Sequence, residues 1–538
     1  MNQGTRMKLT WAALISALML FAFASTAPAA PQGPWMLPAS NLSAIGQNAS
    51  STQIAIAPNG AATAVWARDN GTFNIIQAAT RPPGGSFGAA VDLSATGESA
   101  FDPQIAIAPD GSATVVWSRL NGADSIAQAA TRPPGGSFGP AVDLSASGET
   151  ADRPQNAIAP SGAATVVWYG FNGTNFIVQA ATRPPGGSFG AAVDLSATGQ
   201  NAFQHQIAVA PDGTTTAVWQ RSNGAHDIIQ AATRPPGGSF GAAVDLSATG
   251  QNAFDPQIAF ATDGAATAVW RRFNGVNSIV QAATRPPGGS FGPAVDLSAA
   301  GQDAGQPRIT FATNGAATVV WIRNNGANSI VQAATRPPGG SFGPAVDLSA
   351  TGQGAFQPQI EIAPDGAATV VWIRNNGPNF IVQAATRPPG SSFGAPVDLS
   401  ATGQNASEPQ VAIAPDVAAT AVWYRYDGAT NIIQSASTAT AKIANVKVSG
   451  PARVRKGKVA TYRVKVTNSG NGAATGVRIR VFGRGVGARK SVGKIPAGKS
   501  RTIKVRLKFK KPGKIKATFK VTSSNAGGKT VKKPITVR

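Results

Sequence analysis

A tryptophan recurs every 51 residues, eight times over: Trp66, Trp117, Trp168, Trp219, Trp270, Trp321, Trp372 and Trp423. Around each one the same text is spelled, as in QIAIAPNGAATAVWARDNGTFNIIQAATRPPGGSFGAAVDLSATG from Gln53 to Gly97. A unit of that length cannot bury its apolar face alone, whereas stacked neighbours can, so self-similarity at this period predicts a closed array of small sheets. Each unit divides into four β runs. The first (QIAIA) ends at Pro-Asp-Gly or a relative, a turn signal. The second (AATAVW) ends at Asn70-Gly71 and its copies, a dipeptide suited to the positive φ angles of a tight hairpin turn. The third (IIQAAT) is stopped by Arg-Pro-Pro-Gly-Gly, because proline cannot donate to a ladder. VDLSATG is the fourth, and four strands per unit make one propeller blade.

The ends fix the count. The eighth unit stops after its third run, at about Ala436, where Ser437-Thr438 replaces Arg-Pro-Pro. Its missing fourth run stands at the other end as NLSAIGQNAS, Asn41 to Ser50. The expectation is an all-β chain: an eight-bladed β-propeller over 33–437 whose N-terminal strand closes the last blade, then a linker at 438–442 and a second domain at 443–538. The repeating tryptophans read as wedges between blades, with ligand stacking the less economical alternative. Arg81 and its copies read as structural partners of the last turn, and Arg68 and its copies as solvated rim residues.

Blade length, strand order and the Gly84-Gly85-Ser86-Phe87-Gly88 hairpin resemble bacterial propellers of the sialidase-like, BNR/Asp-box class. The resemblance covers Trp35 to about Ala436, but the hairpin lacks the aspartate that names the Asp-box. It implies an architecture, and a glycan-active hydrolase or lyase as one reading. Sialidases need an arginine cluster, a Tyr–Glu pair and an acidic donor, and most other glycosidases need two carboxylates. The chain has four glutamates, Glu98, Glu149, Glu361 and Glu408, in separate blades. Arg308 alone replaces a channel glutamine, and Pro307-Arg308-Ile309-Thr310 is a faint echo of the sialidase Arg-Ile-Pro segment. No catalytic residues are therefore assigned, and a non-enzyme is expected.

Differences among near-copies locate a face. The turn after the first run and the Pro-Pro-Gly-Gly hairpin hardly change. Variation gathers after each Trp, around Asn-Gly, and in the link from fourth to first run, segments that emerge on one side of the disc. Tyr169, Phe171, Arg271, Phe273, Tyr424 and Tyr426 stand there, and are the candidate residues for a glycan or protein ligand. Drift on a solvated face accounts for them equally well.

From Lys442 onward the text changes to strict alternation. Ile503, Val505, Leu507 and Phe509 point one way, and Lys504, Arg506, Lys508 and Lys510 the other. About seven such strands predict an Ig-like β-sandwich. The string TYRVKVTNSGNGAATGVRIRV, with KIPAGKS downstream, resembles CARDB-type modules of bacterial surface proteins. This segment holds 28 of the 47 Lys and Arg residues and no acid. Arg6 and Lys8 precede the repeats, so 17 bases there face all 24 acids, a net charge of −7. The candidate polyanion contacts are Lys504, Arg506, Lys508 and Lys510, with an anionic cell-wall or extracellular polymer as partner; solubility of strand edges is the plainer account. No sequence-specific nucleic-acid recognition is expected, since no aromatic set or recognition helix interleaves the charge.

Residues 1–29 read as a signal peptide: Arg6 and Lys8, an apolar run from Leu9 to Ala24, then Ala27-Pro28-Ala29. The mature chain then has no transmembrane segment and works as a secreted or cell-surface protein. Absent cysteines exclude disulfides and thiolate chemistry, and two histidines exclude a multi-histidine metal centre, so no cofactor or metal is expected. The leading expectation is a non-enzymatic adhesion or binding protein. A glycan-active enzyme is the alternative, and a structural matrix protein without specific ligand the third.

Overall fold

The computed structural model describes residues 33–146, 148–524 and 526–538; the expected signal peptide lies outside them. Eight four-stranded antiparallel sheets form the repeat region. Blade 1 is typical: Ala49–Ile56 lines the central channel, followed outward by Ala62–Asp69, Asn74–Arg81 and the two-residue strand Val91–Asp92. Blade 8 is closed by Trp35–Asn41, which pairs antiparallel with Asn431–Thr438 in the register Trp35↔Thr438 and Asn41↔Gln434. Hydrogen bonding between the two ends of the repeat region therefore seals the ring.

All eight repeating tryptophans are fully buried, each in a cluster that joins two adjacent blades; Trp423, for example, packs with Val371, Ile373 and Val382 of the blade before it. The indole N–H of Trp117 donates to Gln128 Oε1 at 3.0 Å, and Gln128 Nε2 donates to Asp143 Oδ1 at 2.7 Å. The outer-strand aspartate thus has a fixed task. It also meets the arginine two residues after the Trp, as in Arg272–Asp296 and Arg374–Asp398 at 3.6 Å. Six of the seven arginines at this position, all but Arg425, are consequently ion-paired, with side chains 12–16% exposed, rather than solvated as expected.

Arg81 packs on its own hairpin through Phe87, ring centroid at 5.2 Å, and also reaches the neighbouring blade. Its guanidinium donates to Ser437 and Thr420 at 2.7 and 2.9 Å. The copy in blade 7, Arg387, repeats this with Phe393, Thr335 and Thr318. Serine at 437, where the motif was lost, accepts from the first blade's arginine.

The C-terminal region is a two-sheet sandwich. Ile443–Ser449, Val459–Asn468 and Ser500–Lys508 form one sheet in that order. The other runs Arg453–Val454, Gly528–Val537, Gly513–Thr522, Ala474–Gly483, Val486–Ile495. Between them lies an apolar core with Tyr462, Phe509 and Phe519 at its centre; the Tyr462 ring sits 5.8 Å from Phe519, and its hydroxyl donates to Pro451 O at 2.8 Å. Among the described residues no helix is long and apolar enough to cross a membrane.

Candidate functional site

Every inner strand carries a bulge near its start, on the face where the copies differ. At each bulge one non-glycine residue takes a left-handed backbone: Ser51, Asp102, Arg153, Gln204, Asp255, Gln306, Gln357 and Glu408, with φ from 49° to 55°. Such a conformation costs an L-residue roughly 1–2 kcal/mol. Strain of this kind gathers at functional sites. Here it turns eight polar side chains around one mouth.

Two residues on lies a second ring, glutamine in every blade except at Arg308. Two further, the bore is alanine in six blades, with Thr310 and Glu361 as exceptions. The mouth holds a cavity of about 470 Å³ lined by residues of both upper rings together with Tyr169 and His205.

The upper ring is stitched from blade to blade. Ser51 N–H donates to Glu408 Oε2 at 2.8 Å, Asp255 N–H to Gln204 Oε1 at 2.9 Å, Gln357 N–H to Gln306 Oε1 at 2.9 Å, and Glu408 N–H to Gln357 Oε1 at 3.1 Å. Four of the eight joints are made in this way; Arg153 cannot serve Gln204 of the next blade so, because a guanidinium has no acceptor to offer. There the backbone is held otherwise: Arg153 N–H donates to Ser118 Oγ at 2.9 Å, and its carbonyl lies 2.8 Å from His205 Nε2. The exposed Arg153 guanidinium has no hydrogen bond or ion pair among the described residues.

Beside it stands an aromatic cluster. Tyr169 is 5.6 Å from Phe176, 5.9 Å from Phe203 and 6.1 Å from His205, and Phe171 is 5.1 Å from Phe176. Burial raises the Tyr169 hydroxyl above its ordinary value, and it pushes His205 down to about 4, so the imidazole is neutral at physiological pH. Burial also raises Asp102, an effect Arg153 opposes, and raises Glu408. Lower in the bore, burial pushes Glu361 up to about 7. Its side chain keeps some contact with solvent in the channel. Burial lowers Arg308, whose Nε donates to Gln359 Oε1 at 3.2 Å.

Of the expected face residues, Tyr169 and Phe171 come together, joined by Phe176. Two blades on, Arg271 stacks on Phe254 at 4.8 Å and pairs with Asp255 at 3.1 Å, while Phe273 is exposed nearby. Tyr424 packs against the cluster around Trp66, and Tyr426 lies exposed with its hydroxyl donating to Gly428 O at 3.0 Å. The six therefore occupy three separate places on the face. Phe203, His205 and Arg153 escaped the sequence reading. One signal was available, since His205 stands where six sister blades carry proline. In the sandwich, Lys504, Arg506 and Lys508 are exposed on an edge strand, and Lys510 lies just beyond it.

No curated protein matches the chain in sequence. Among solved structures, it is similar to a polysaccharide lyase of a PL25 family, an ulvan lyase bound to -[GlcA(1-4)Rha3S]-. The identity is 9%, over 76% of this chain and 94% of that one, with a TM-score of 0.41. It is also similar to a sialidase from Streptococcus pneumoniae at 8% identity, over 76% and 99%, with a TM-score of 0.36. These neighbours correct the expectation of a non-enzyme, since propellers of this architecture include glycan-cleaving enzymes. Missing carboxylate pairs excluded less than the sequence reading assumed, because elimination chemistry does not require one. At such identities the likeness concerns the fold alone.

The sandwich is similar to the CARDB domain of a Pyrococcus furiosus protein solved with di-metal ions. There the identity is 18%, over 18% of this chain and 93% of that one, with a TM-score of 0.16. From Gly428 onward this chain has no Asp, Glu, His or Cys. The family match itself spans residues 442–526, and that segment is a CARDB domain.

Proposed function

We propose that the chain is an extracytoplasmic, surface-associated glycan-binding protein whose channel mouth takes an acidic sugar, while its basic sandwich contacts an anionic polymer. Arg153 carries the first half of this reading. It is an exposed, unpaired guanidinium on a strained residue, sharing the channel mouth with Tyr169, whose ring packs against Phe176 and Phe203. A guanidinium pairs with carboxylate or sulfate through two parallel hydrogen bonds. Tyr169 and Phe203 supply ring surface for stacking, and the glutamine ring supplies donors and acceptors for hydroxyls.

Calorimetry with a uronic-acid oligosaccharide and its neutral counterpart tests this. Arg153→Gln should weaken the acidic ligand about tenfold to a hundredfold, the value of a hydrogen bond to a charged group. Arg308→Gln, whose partner is already within the protein, should change little. Equal affinity for both oligosaccharides, or an unaffected Arg153→Gln, refutes the reading.

One observation favours a glycan-active enzyme as a second reading. Arg153 and Tyr169 share the mouth, offering a cation to neutralise a uronate carboxylate and a phenol to exchange protons. Elimination removes the ring proton beside that carboxylate and returns a proton to the leaving oxygen, so it needs no carboxylate pair. It leaves an unsaturated uronate that absorbs in the ultraviolet. Tyr169→Phe should abolish that absorbance on a uronate polymer, and no product from the unaltered protein refutes catalysis of this kind.

A further inference from the structure

The sandwich carries its bases on both outer faces, and strand order separates two explanations for them. Lys504, Arg506 and Lys508 lie on Ser500–Lys508, an edge strand, where charge is the usual guard against sheet-to-sheet pairing. That account fails for the five-stranded sheet. Arg480 sits on Ala474–Gly483 and Lys520 on Gly513–Thr522, both interior strands that need no guard.

Moreover, the register sets like charges directly opposite one another: Arg480 faces Arg489 on one side and Lys520 on the other. Opposed like charges destabilise a sheet. The domain contains no acid to relieve them, and no ion pair involves them among the described residues. Arg478 and Lys516 extend the exposed basic surface along the same strands. In its midst Phe482 is 42% exposed, with the Arg480 guanidinium 5.8 Å from its ring. Phe482 thus presents one aromatic surface within an otherwise basic face.

We propose that this face, and not the edge strand, is the polyanion site of the sandwich, and that its occupant is an anionic polysaccharide. The cations would take sulfate or carboxylate groups, and Phe482 the apolar face of one sugar ring. A single aromatic suits one sugar unit, whereas single-stranded nucleic acid is gripped by several aromatics in succession. The inference rests on the polyanion reading proposed above and gives it a place and a ligand class.

Two triple variants of the full chain, equal in charge lost, make the test: Arg478→Ser/Arg480→Ser/Lys520→Ser on the interior strands and Lys504→Ser/Arg506→Ser/Lys508→Ser on the edge. Binding is measured to dextran sulfate, inorganic polyphosphate and a single-stranded oligonucleotide at low salt. The interior triple should weaken dextran sulfate about tenfold and the edge triple about twofold, the residue expected from net charge alone. The interior triple should also keep or raise the thermal midpoint, because it removes repulsion, which separates lost binding from lost fold. Phe482→Ala should weaken dextran sulfate while leaving polyphosphate unchanged.

Equal losses from both triples overturn the placement. A Phe482→Ala variant that weakens only the oligonucleotide overturns the glycan assignment. If the unaltered chain binds none of the three polymers, the broader polyanion reading itself falls.

Discussion

Glu361 offers a quantitative handle on the bore. It stands where six sister blades carry alanine, and burial pushes its carboxyl from an ordinary 4.5 to about 7. Between those values the unfolded chain has lost the proton and the folded chain still holds it. Folding stability therefore falls as pH rises from about 4.5 to about 7, then levels off. At about 1.4 kcal/mol per pH unit, the loss comes to about 3 kcal/mol. Glu361→Gln abolishes this titration, so it should match the protein at pH 4 and exceed its stability by about 3 kcal/mol at pH 8.

Urea denaturation followed by tryptophan fluorescence reads the propeller alone, since no tryptophan lies beyond Trp423. His205 acts in the opposite sense. Its folded value of about 4 lies below the ordinary 6.5, so acid favours the unfolded chain across that interval. Both proteins share that contribution, so it cancels from their difference. A difference independent of pH, or one that grows toward acid, refutes the account of Glu361 as an unpaired carboxyl in a low-dielectric bore.

Three further outcomes are expected. Removing Trp35–Asn41 leaves the last blade with an open edge at Asn431–Thr438, so light scattering should report concentration-dependent aggregation; unchanged solubility and midpoint would contradict closure by that strand. Trp168→Ala should cost about 3–5 kcal/mol in denaturant titration, as for a fully buried tryptophan, whereas Phe171→Ala on the half-buried rim should cost far less. The isolated segment 442–538, with its own core, should fold with a cooperative transition and bind polyanions with a steep salt dependence; a salt-insensitive interaction would speak against it.

Periodicity made the architecture legible because a propeller is a local code repeated: turn residues at fixed offsets, one wedge per blade, and a missing strand whose text reappears at the other terminus. Tyr169 and Phe171 were legible for the same reason, as departures from a template. The rest of the site was not. Nothing in Ser51, Asp102 or Glu408 as residue types announces a left-handed backbone, and six of the eight such residues precede proline, a context that favours extended chain. That Arg153 offers no acceptor to Gln204 is a relation between residues 51 apart. Arg68 misled for a similar reason, since its partner Asp92 lies in another strand of the blade and only the fold brings them together.

A strained residue in a repeat protein is strained in every copy. At roughly 1–2 kcal/mol each, the eight left-handed bulge residues together cost on the order of 10 kcal/mol, comparable to the net stability of a domain. Such a cost is tolerable only where surrounding structure over-determines the backbone, and here the side chain of one blade accepts from the strained N–H of the next at four joints. The bulge turns one side chain per blade toward a common mouth, and residue identity there runs Ser, Asp, Arg, Gln, Asp, Gln, Gln, Glu around the ring. Deeper in the channel the copies converge on glutamine and then alanine. Backbone geometry is thus held constant at a position where side-chain chemistry varies, so the ring offers different groups from one repeated scaffold.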